Sequence, residues 1–493
     1  MKRLPLIFLL TTIATLGLIS CEEKVKDAVP VEEWPIIYPD YRGVTVPCNI
    51  APLCFGMDEK EQQTYTLMDV ELRGNQGTLH VQGTEADFPI KEWHQLLNEN
   101  RGDSITVSVC AKKDGHWIQF RSFCIYVSND SIDYGIAYRR VAPGYEYYGH
   151  MGFYERNLTN FDEQPILENN DDPNMCINCH MTNRGNPQYQ TMHVRGNHDG
   201  TMMVTPTTGR QILTTRTDST LSSFVYPYWH PSGNYIAYST NRTRQYFHEQ
   251  KDLRIEVADQ ASDVVVYHPE SGKVLRCTLL ENKDAFETFP AFSPDGKTLY
   301  FCRAEARQLP VEYEQVRYSL CSITFDPKKG TFGEAIDTLV SCQTLAGSIT
   351  FPRPSYDGKY ILFTRSDYGT FPIWHREADL WMLNLSTGSI QPANKLNSED
   401  TESYHSWSST SKWVIYGSRR DDGLYTRLYI AHIQPDGTAA KPFLLPQRHP
   451  KTYYGESLYS FSVPDFLSSP LNTDQKGLFR EVQSATRHSV TYR

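Results

Sequence analysis

The sequence is short of positive charge: 48 Lys and Arg stand against 58 Asp and Glu, a net charge of −10. A nucleic-acid binder needs a basic face to neutralise phosphates, so that class is set aside. Long apolar runs are missing beyond residue 20, which excludes a polytopic helical membrane protein. No G-x-S-x-G elbow occurs, which weighs against an attached serine peptidase. No G-x-x-x-x-G-K-[ST] loop occurs either, so nucleotide hydrolysis has no support. What the chain has in excess is aromatic: 31 Tyr, 22 Phe and 8 Trp among 493 residues. Flat side chains punctuated by Gly and Pro lean towards β structure, because they fit a pleated, half-buried surface.

The one apolar run lies at the N-terminus. Lys2 and Arg3 precede a stretch from Leu4 to Ile19 that reads as a secretory signal over residues 1–20. Its last four residues, Leu18-Ile19-Ser20-Cys21, resemble the lipobox of bacterial lipoproteins. That resemblance implies acylation of Cys21, a polar tether over residues 21–44, and an extracytoplasmic chain held to the envelope membrane by lipid.

Residues 45–131 read as short strands with a helical turn near Ile90 to Leu97, and a small β-sandwich-like domain is expected. The second half repeats. Tyr226-Pro-Tyr-Trp-His-Pro-Ser-Gly233, Phe289-Pro-Ala-Phe-Ser-Pro-Asp-Gly296, Phe351-Pro-Arg-Pro-Ser-Tyr-Asp-Gly358 and a degenerate Tyr404-His-Ser-Trp-Ser-Ser-Thr-Ser411 each precede an apolar strand. The units recur roughly every 60 residues, and each supplies two hairpins. A single four-stranded sheet cannot bury both faces, whereas radial stacking can, which is the logic of a β-propeller. These units resemble the TolB-like, or WD-like, propeller repeats of bacterial periplasmic proteins. A propeller is expected over residues 205–470, first propeller strands and a short irregular or helical insert over 132–204, and a tail over 471–493.

Chemistry concentrates in Cys176-Ile177-Asn178-Cys179-His180. A C-x-x-C-H run is the attachment signature of c-type haem: two thiolates add to the vinyl groups and the adjacent His becomes an iron ligand. His193 is the first choice for the second axial ligand and Met192 the alternative, with His150, His198, Met202 and Met203 also within reach. Arg184 and Arg195 are candidate partners for the haem propionates. Two other readings compete on spacing. Cys176, Cys179, His193 and His198 satisfy a C-x2-C…H-x4-H zinc pattern, and Cys176 with Cys179 could form a redox disulfide. Of the 11 cysteines, setting aside Cys21, Cys176 and Cys179 leaves an even number for disulfides, and Cys302 with Cys321 is the one pairing expected, on neighbouring strands.

The order of lipobox, β domain, single C-x-x-C-H and propeller repeats resembles a group of Gram-negative lipoproteins often labelled cytochrome c biogenesis proteins. It implies a membrane-anchored mono-haem c-type cytochrome that transfers electrons and docks a redox or envelope protein partner. Two alternatives stand beside it: a binding scaffold in which haem is structural, and a haem sensor or peroxidase with an open sixth site.

Overall fold

The computed structural model describes residues 23–58, 65–142, 149–170, 172–248 and 255–492. The expected secretory signal and the expected lipidation site, Cys21, lie outside the described residues. The chain is mainly β, with helices only at Ile90–Glu99, Pro450–Glu456 and Gln475–Ser484 among the described residues, apart from two 3-10 turns. No helix among them is long and apolar enough to cross a membrane.

Six sheets are arranged as blades. Blade 2 runs Cys176–Asn183, Asn186–Arg195, Gly200–Thr205 and Gly209–Thr214 from inside outwards, and blade 3 runs Phe224–Trp229, Ile236–Phe247, Ile255–His268 and Lys273–Leu275. Blade 4 is built on Ala285–Phe292, Thr298–Glu305 and Ser319–Asp326, blade 5 on Ser348–Pro354, Tyr360–Ser366 and Asp379–Asn384, and blade 6 on Glu402–Trp407, Trp413–Ser418 and Arg427–His432. Blade 1 joins the two ends of the ring: Gly135–Val141, Met151–Asn157 and Glu163–Glu168 supply its outer strands, and Ser460–Leu467 its inner one. Each inner strand touches the inner strand of the next blade, and that of blade 1 touches that of blade 2, so the ring closes. Closure covers the sheet faces that the first and last blades of an open array would leave exposed, and only short outer edges remain.

One backbone device recurs in every blade. The inner strand carries a β-bulge whose first residue has positive φ: Cys179, Tyr226, Phe289, Phe351, Tyr404 and Val463, all between 45° and 52°. Pairing to the second strand shifts register at each of these places. Left-handed backbone is uncommon at non-glycine residues, so six copies show that ring packing over-determines it. The aromatic members meet one another. Ring centroids lie 4.5 Å apart for Tyr226 and Phe289, 4.1 Å for Phe289 and Phe351, and 4.8 Å for Phe351 and Tyr404. Each aromatic pair contributes about 0.5–1.5 kcal/mol beyond its buried area.

At the far end of the inner strands of blades 3, 4 and 5, the turns ending in Gly233, Gly296 and Gly358 behave as their composition dictates. Asp295 accepts from Ser293 at 2.6 Å, and Gly296 takes a φ of 72°. A side chain at Gly296 would collide with the His230 ring of blade 3 as well. The glycine therefore serves both turn and blade packing.

The N-terminal unit has one seven-stranded sheet. The helix Ile90–Glu99 and a three-stranded sheet of Ile37–Tyr38, Phe55–Met57 and Glu85–Ala86 share its core. The expected single helical turn is thus a full ten-residue helix, with Trp93, Leu96 and Leu97 buried. Their i, i+3, i+4 spacing marks one helical face. This core runs on into blade 6 through Trp413, Tyr416 and Ile430. Lys441 to Asp40 at 2.9 Å and His432 to Asp130 at 3.1 Å tie the same surfaces. In place of the expected tail over 471–493, residues 471–492 are a folded part of the ring: Arg487–Ser489 pairs with the outer strand of blade 2 and Thr491–Tyr492 with that of blade 3.

Candidate functional site

The Cys-x-x-Cys-His run is not an insert of irregular or helical chain. It is the start of blade 2's inner strand, Cys176–Asn183. Cys179 stands at the left-handed bulge position, equivalent to Tyr226 or Tyr404. His180 follows it where Pro227, Pro290, Pro352, His405 and Pro464 follow in the other blades. The correspondence with His405 extends to the hydrogen bond. His405 donates from Nε2 to the Leu362 carbonyl in the second strand of blade 5, at 2.8 Å. His180 points the same nitrogen at the Ala137 carbonyl in the second strand of blade 1, at a longer 3.4 Å. Both imidazoles are struts to the preceding blade. Burial pushes each down to about 3, so both are neutral at physiological pH.

A porphyrin does not fit this arrangement. The Phe153 ring sits 4.2 Å from the His180 ring, on the blade 1 side. The cavity between His180 and His405 measures about 30 Å³. That is room for a water or so, against the hundreds of Å³ that cofactor sites offer, on the order of 300–1,000 Å³. His193 lies on the other side of the blade. Its Nδ1 meets Thr201 Oγ1 at 3.2 Å, and Thr201 continues to Thr215, which accepts from the Phe224 amide of blade 3. His180 and His193 therefore cannot cap one iron from opposite sides. Met192 does share the blade 1 side with His180, packed among Ile177, Val194 and Met202. Burial also pushes His193 down to about 3, and its Nε2 makes no hydrogen bond, with Asp199 Oδ1 3.6 Å away.

The two arginines also separate. Arg184 turns the hairpin with Gly185, both at positive φ, and donates to the Pro294 carbonyl at 2.6 Å. Arg195 sits exposed at the opposite end of the same hairpin, paired in register with Cys176. Eight residues of strand put roughly 25 Å between the ends, so the two cannot hold the propionates of one porphyrin. Arg139 reaches Asn178 Oδ1 instead, and burial pushes the Cys176 thiol up, with Arg139 and Arg195 opposing. No group of three or more His, Cys, Asp or Glu is placed to hold a metal among the described residues. That applies to the zinc pattern of Cys176, Cys179, His193 and His198.

The Cys302–Cys321 pairing is corrected by register. Their strands are neighbours in blade 4, but Cys302 lies opposite Leu320, and Cys321 opposite Phe301. Successive side chains point to opposite faces, so an offset of one residue puts the sulfurs on different sides of the sheet. All the described cysteines are free thiols.

The groups that sequence reasoning missed lie under the long central hairpin of blade 3, Ile236–Phe247 with Ile255–His268. Glu256 Oε2 meets His375 Nε2 at 2.9 Å, and Glu377 Oε1 meets His375 Nδ1 at 3.0 Å. His375 and Glu256 are almost fully buried. Burial alone would lower the imidazole, but the two carboxylates overrule it and raise it to about 9. Beside them Asp259 accepts from Asn241 at 2.9 Å and from Tyr318 at 2.8 Å, and burial pushes it up to about 6. These contacts span blades 3, 4 and 5. One sign was visible in the repeats: Glu287 and Glu402 occupy a slot, two residues before the bulge, where other repeats hold Phe224 and Ile349. A carboxylate in a core slot calls for a partner, and Arg303 and Arg420 supply it at 3.1 Å each.

No family model matches the chain, and no curated protein does. Among solved structures, prolyl oligopeptidase B from Galerina marginata is similar at 9% identity and TM-score 0.35, over 68% of this chain and 42% of that one. An ancestral GH74 enzyme is similar at 10% identity and TM-score 0.35, over 64% and 38%. A DUF4784 family protein from Bacteroides caccae is similar at 8% identity and TM-score 0.25, over 74% and 98%. The chain spans less than half of the first two, and no activity is carried over from any of them.

Proposed function

We propose that this chain is a lipid-anchored, extracytoplasmic binding protein whose propeller-like ring is the scaffold, with the Cys-x-x-Cys-His strand serving the ring itself. The observation that carries this reading is the equivalence of Cys179-His180 with Tyr404-His405: same bulge, same φ, same strut to the preceding blade. Repeat geometry accounts for the adjacent Cys and His without a cofactor. The tight turns such as Ser293–Gly296 close one end of the ring. The opposite end carries the longer connections and the buried Glu256–His375–Glu377 group, and loops on a rigid ring are where binding proteins place recognition. The lipobox at Cys21 supports a tether.

The second reading is a haem-bearing electron carrier. The spacing of Cys176, Cys179 and His180 favours it, together with the hydrogen-bond-free Nε2 of His193; the packing of His180 opposes it. A pyridine haemochrome assay on protein secreted by a host competent in haem attachment separates the two. A colourless, folded protein is expected, with Cys176 and Cys179 both open to alkylation once it is unfolded. A stoichiometric haemochrome band lost in the Cys176→Ser, Cys179→Ser variant would establish the electron carrier instead.

A further inference from the structure

At the loop-bearing end of blade 4 lies an open cavity of about 550 Å³. It is lined by Arg303, Arg307, Arg317, Gln315, Ser319 and Gln343, among others. Three guanidiniums converging in one cavity are out of keeping with a chain of net charge −10. Local carboxylates leave that charge incompletely balanced. Glu305, the one acidic residue of the lining, pairs with Arg307 at 2.6 Å and is itself largely exposed. Arg307 Nε is buried without a hydrogen-bond partner. Arg317 donates Nε to the Asp367 backbone carbonyl at 2.9 Å and has no ion pair with a carboxylate among the described residues. The Asp367 carboxylate is engaged by Arg365, at 2.6 Å. Beneath the floor Arg303 pairs with the buried Glu287 at 3.1 Å, so among the described residues Arg317 is the lining cation left without a carboxylate.

We infer that this cavity is a binding site for a small ligand bearing two or more oxyanion groups, that is, carboxylates, sulfates or phosphates. Guanidinium presents parallel N–H donors that match the paired oxygens of such groups, and a divided anion can engage two arginines at once. The amides of Gln315 and Gln343 and the hydroxyl of Ser319 supply neutral donors for the remaining oxygens. The volume falls within the range of small-molecule sites, on the order of 300–1,000 Å³. This inference deepens the binding reading above and names the ligand chemistry it would serve.

The test is titration calorimetry on the full secreted chain at low ionic strength with citrate, inorganic pyrophosphate and a sulfated disaccharide, and with lactose as a neutral control. At least one anion is expected to bind and lactose not to. Arg307→Gln and Arg317→Gln, both at solvent-accessible positions, should each weaken binding at least tenfold, the scale of one charge-assisted contact of about 1.5–3 kcal/mol. Arg101→Gln, in the N-terminal unit, should leave it unchanged. Bound anion should also slow alkylation of Cys342, which lines the same cavity. Absence of binding by all three anions at millimolar concentration overturns the inference, as does binding indifferent to both arginine variants. The haemochrome assay reads the scaffold proposal independently: a colourless protein that ignores anions loses only this inference, and a haem-bearing protein that binds them through Arg307 and Arg317 keeps it.

Discussion

His375 offers the sharpest handle on the loop-bearing end. Its ring is held between Glu256 at 2.9 Å and Glu377 at 3.0 Å, almost out of contact with water. The folded protein keeps the imidazolium to about pH 9, where an unfolded chain releases it near 6.5. The folded state thus binds the proton more tightly. The stabilisation is complete below pH 6.5 and is lost as pH rises through 9. A difference of about 2.5 units corresponds to roughly 3 kcal/mol across that window, by about 1.4 kcal/mol per unit. His375→Gln keeps a hydrogen-bonding side chain but cannot be cationic. Urea unfolding followed by tryptophan fluorescence, on both proteins at pH 6 and pH 9.5, reads the effect. Wild type should be the more stable at pH 6 by several kcal/mol, because the variant leaves Glu256 buried beside a neutral group. The gap should narrow by about 3 kcal/mol at pH 9.5. A gap that stays constant between the two pH values refutes the ion-pair account. Glu377 works in the other direction: its carboxyl is held down to about 2, so its contribution is present above pH 4.5 and disappears as pH falls through 2.

Three further outcomes are expected. His180→Ala and His405→Ala should each lower unfolding stability by about 1–3 kcal/mol, the cost of a buried group left unpartnered, with no change in visible absorbance; loss of colour in the His180 variant alone would sink the repeat equivalence. Asp465 accepts from the amide and hydroxyl of Thr182, and burial pushes it up to about 6, so the ionised form is a burden at pH 8 that fades as pH falls below 6. Asp465→Asn should therefore stabilise the protein at pH 8 by on the order of 1–3 kcal/mol, an advantage about halved near pH 5 and gone below about pH 3.8, as followed by thermal unfolding across that range. Alkylation of protein unfolded without reductant should modify both Cys302 and Cys321, and peptide mapping that finds them joined would contradict the register of blade 4.

The repeats were legible because turns impose residue types. Pro sets φ for the first turn position and Gly the left-handed exit, so Ser-Pro-Asp-Gly stays visible where the strands between have diverged. The same reasoning could not place residues 176–183 in the ring. That repeat has Cys-His where others have Tyr-Pro or Phe-Pro, and its turn is Arg184-Gly185 instead of Ser-Pro-Asp-Gly. A motif with a chemical meaning of its own then outweighed a repeat with a missing punctuation mark. Glu256 and His375 were beyond reach for another reason. They come from blades 3 and 5, well over a hundred residues apart in sequence, and nothing local records their meeting.

By itself the sequence determined the β character, the hairpin units and the turns, because each depends on a few neighbouring side chains and their φ preferences. Tertiary packing decided the rest. It set six blades, with Ser460–Leu467 closing blade 1. It set the register that parts Cys302 from Cys321, and the placement of His180 and His193 on opposite faces of one sheet. Face and register are fixed by which strand lies alongside, and a partner three hundred residues away leaves no mark on the local pattern.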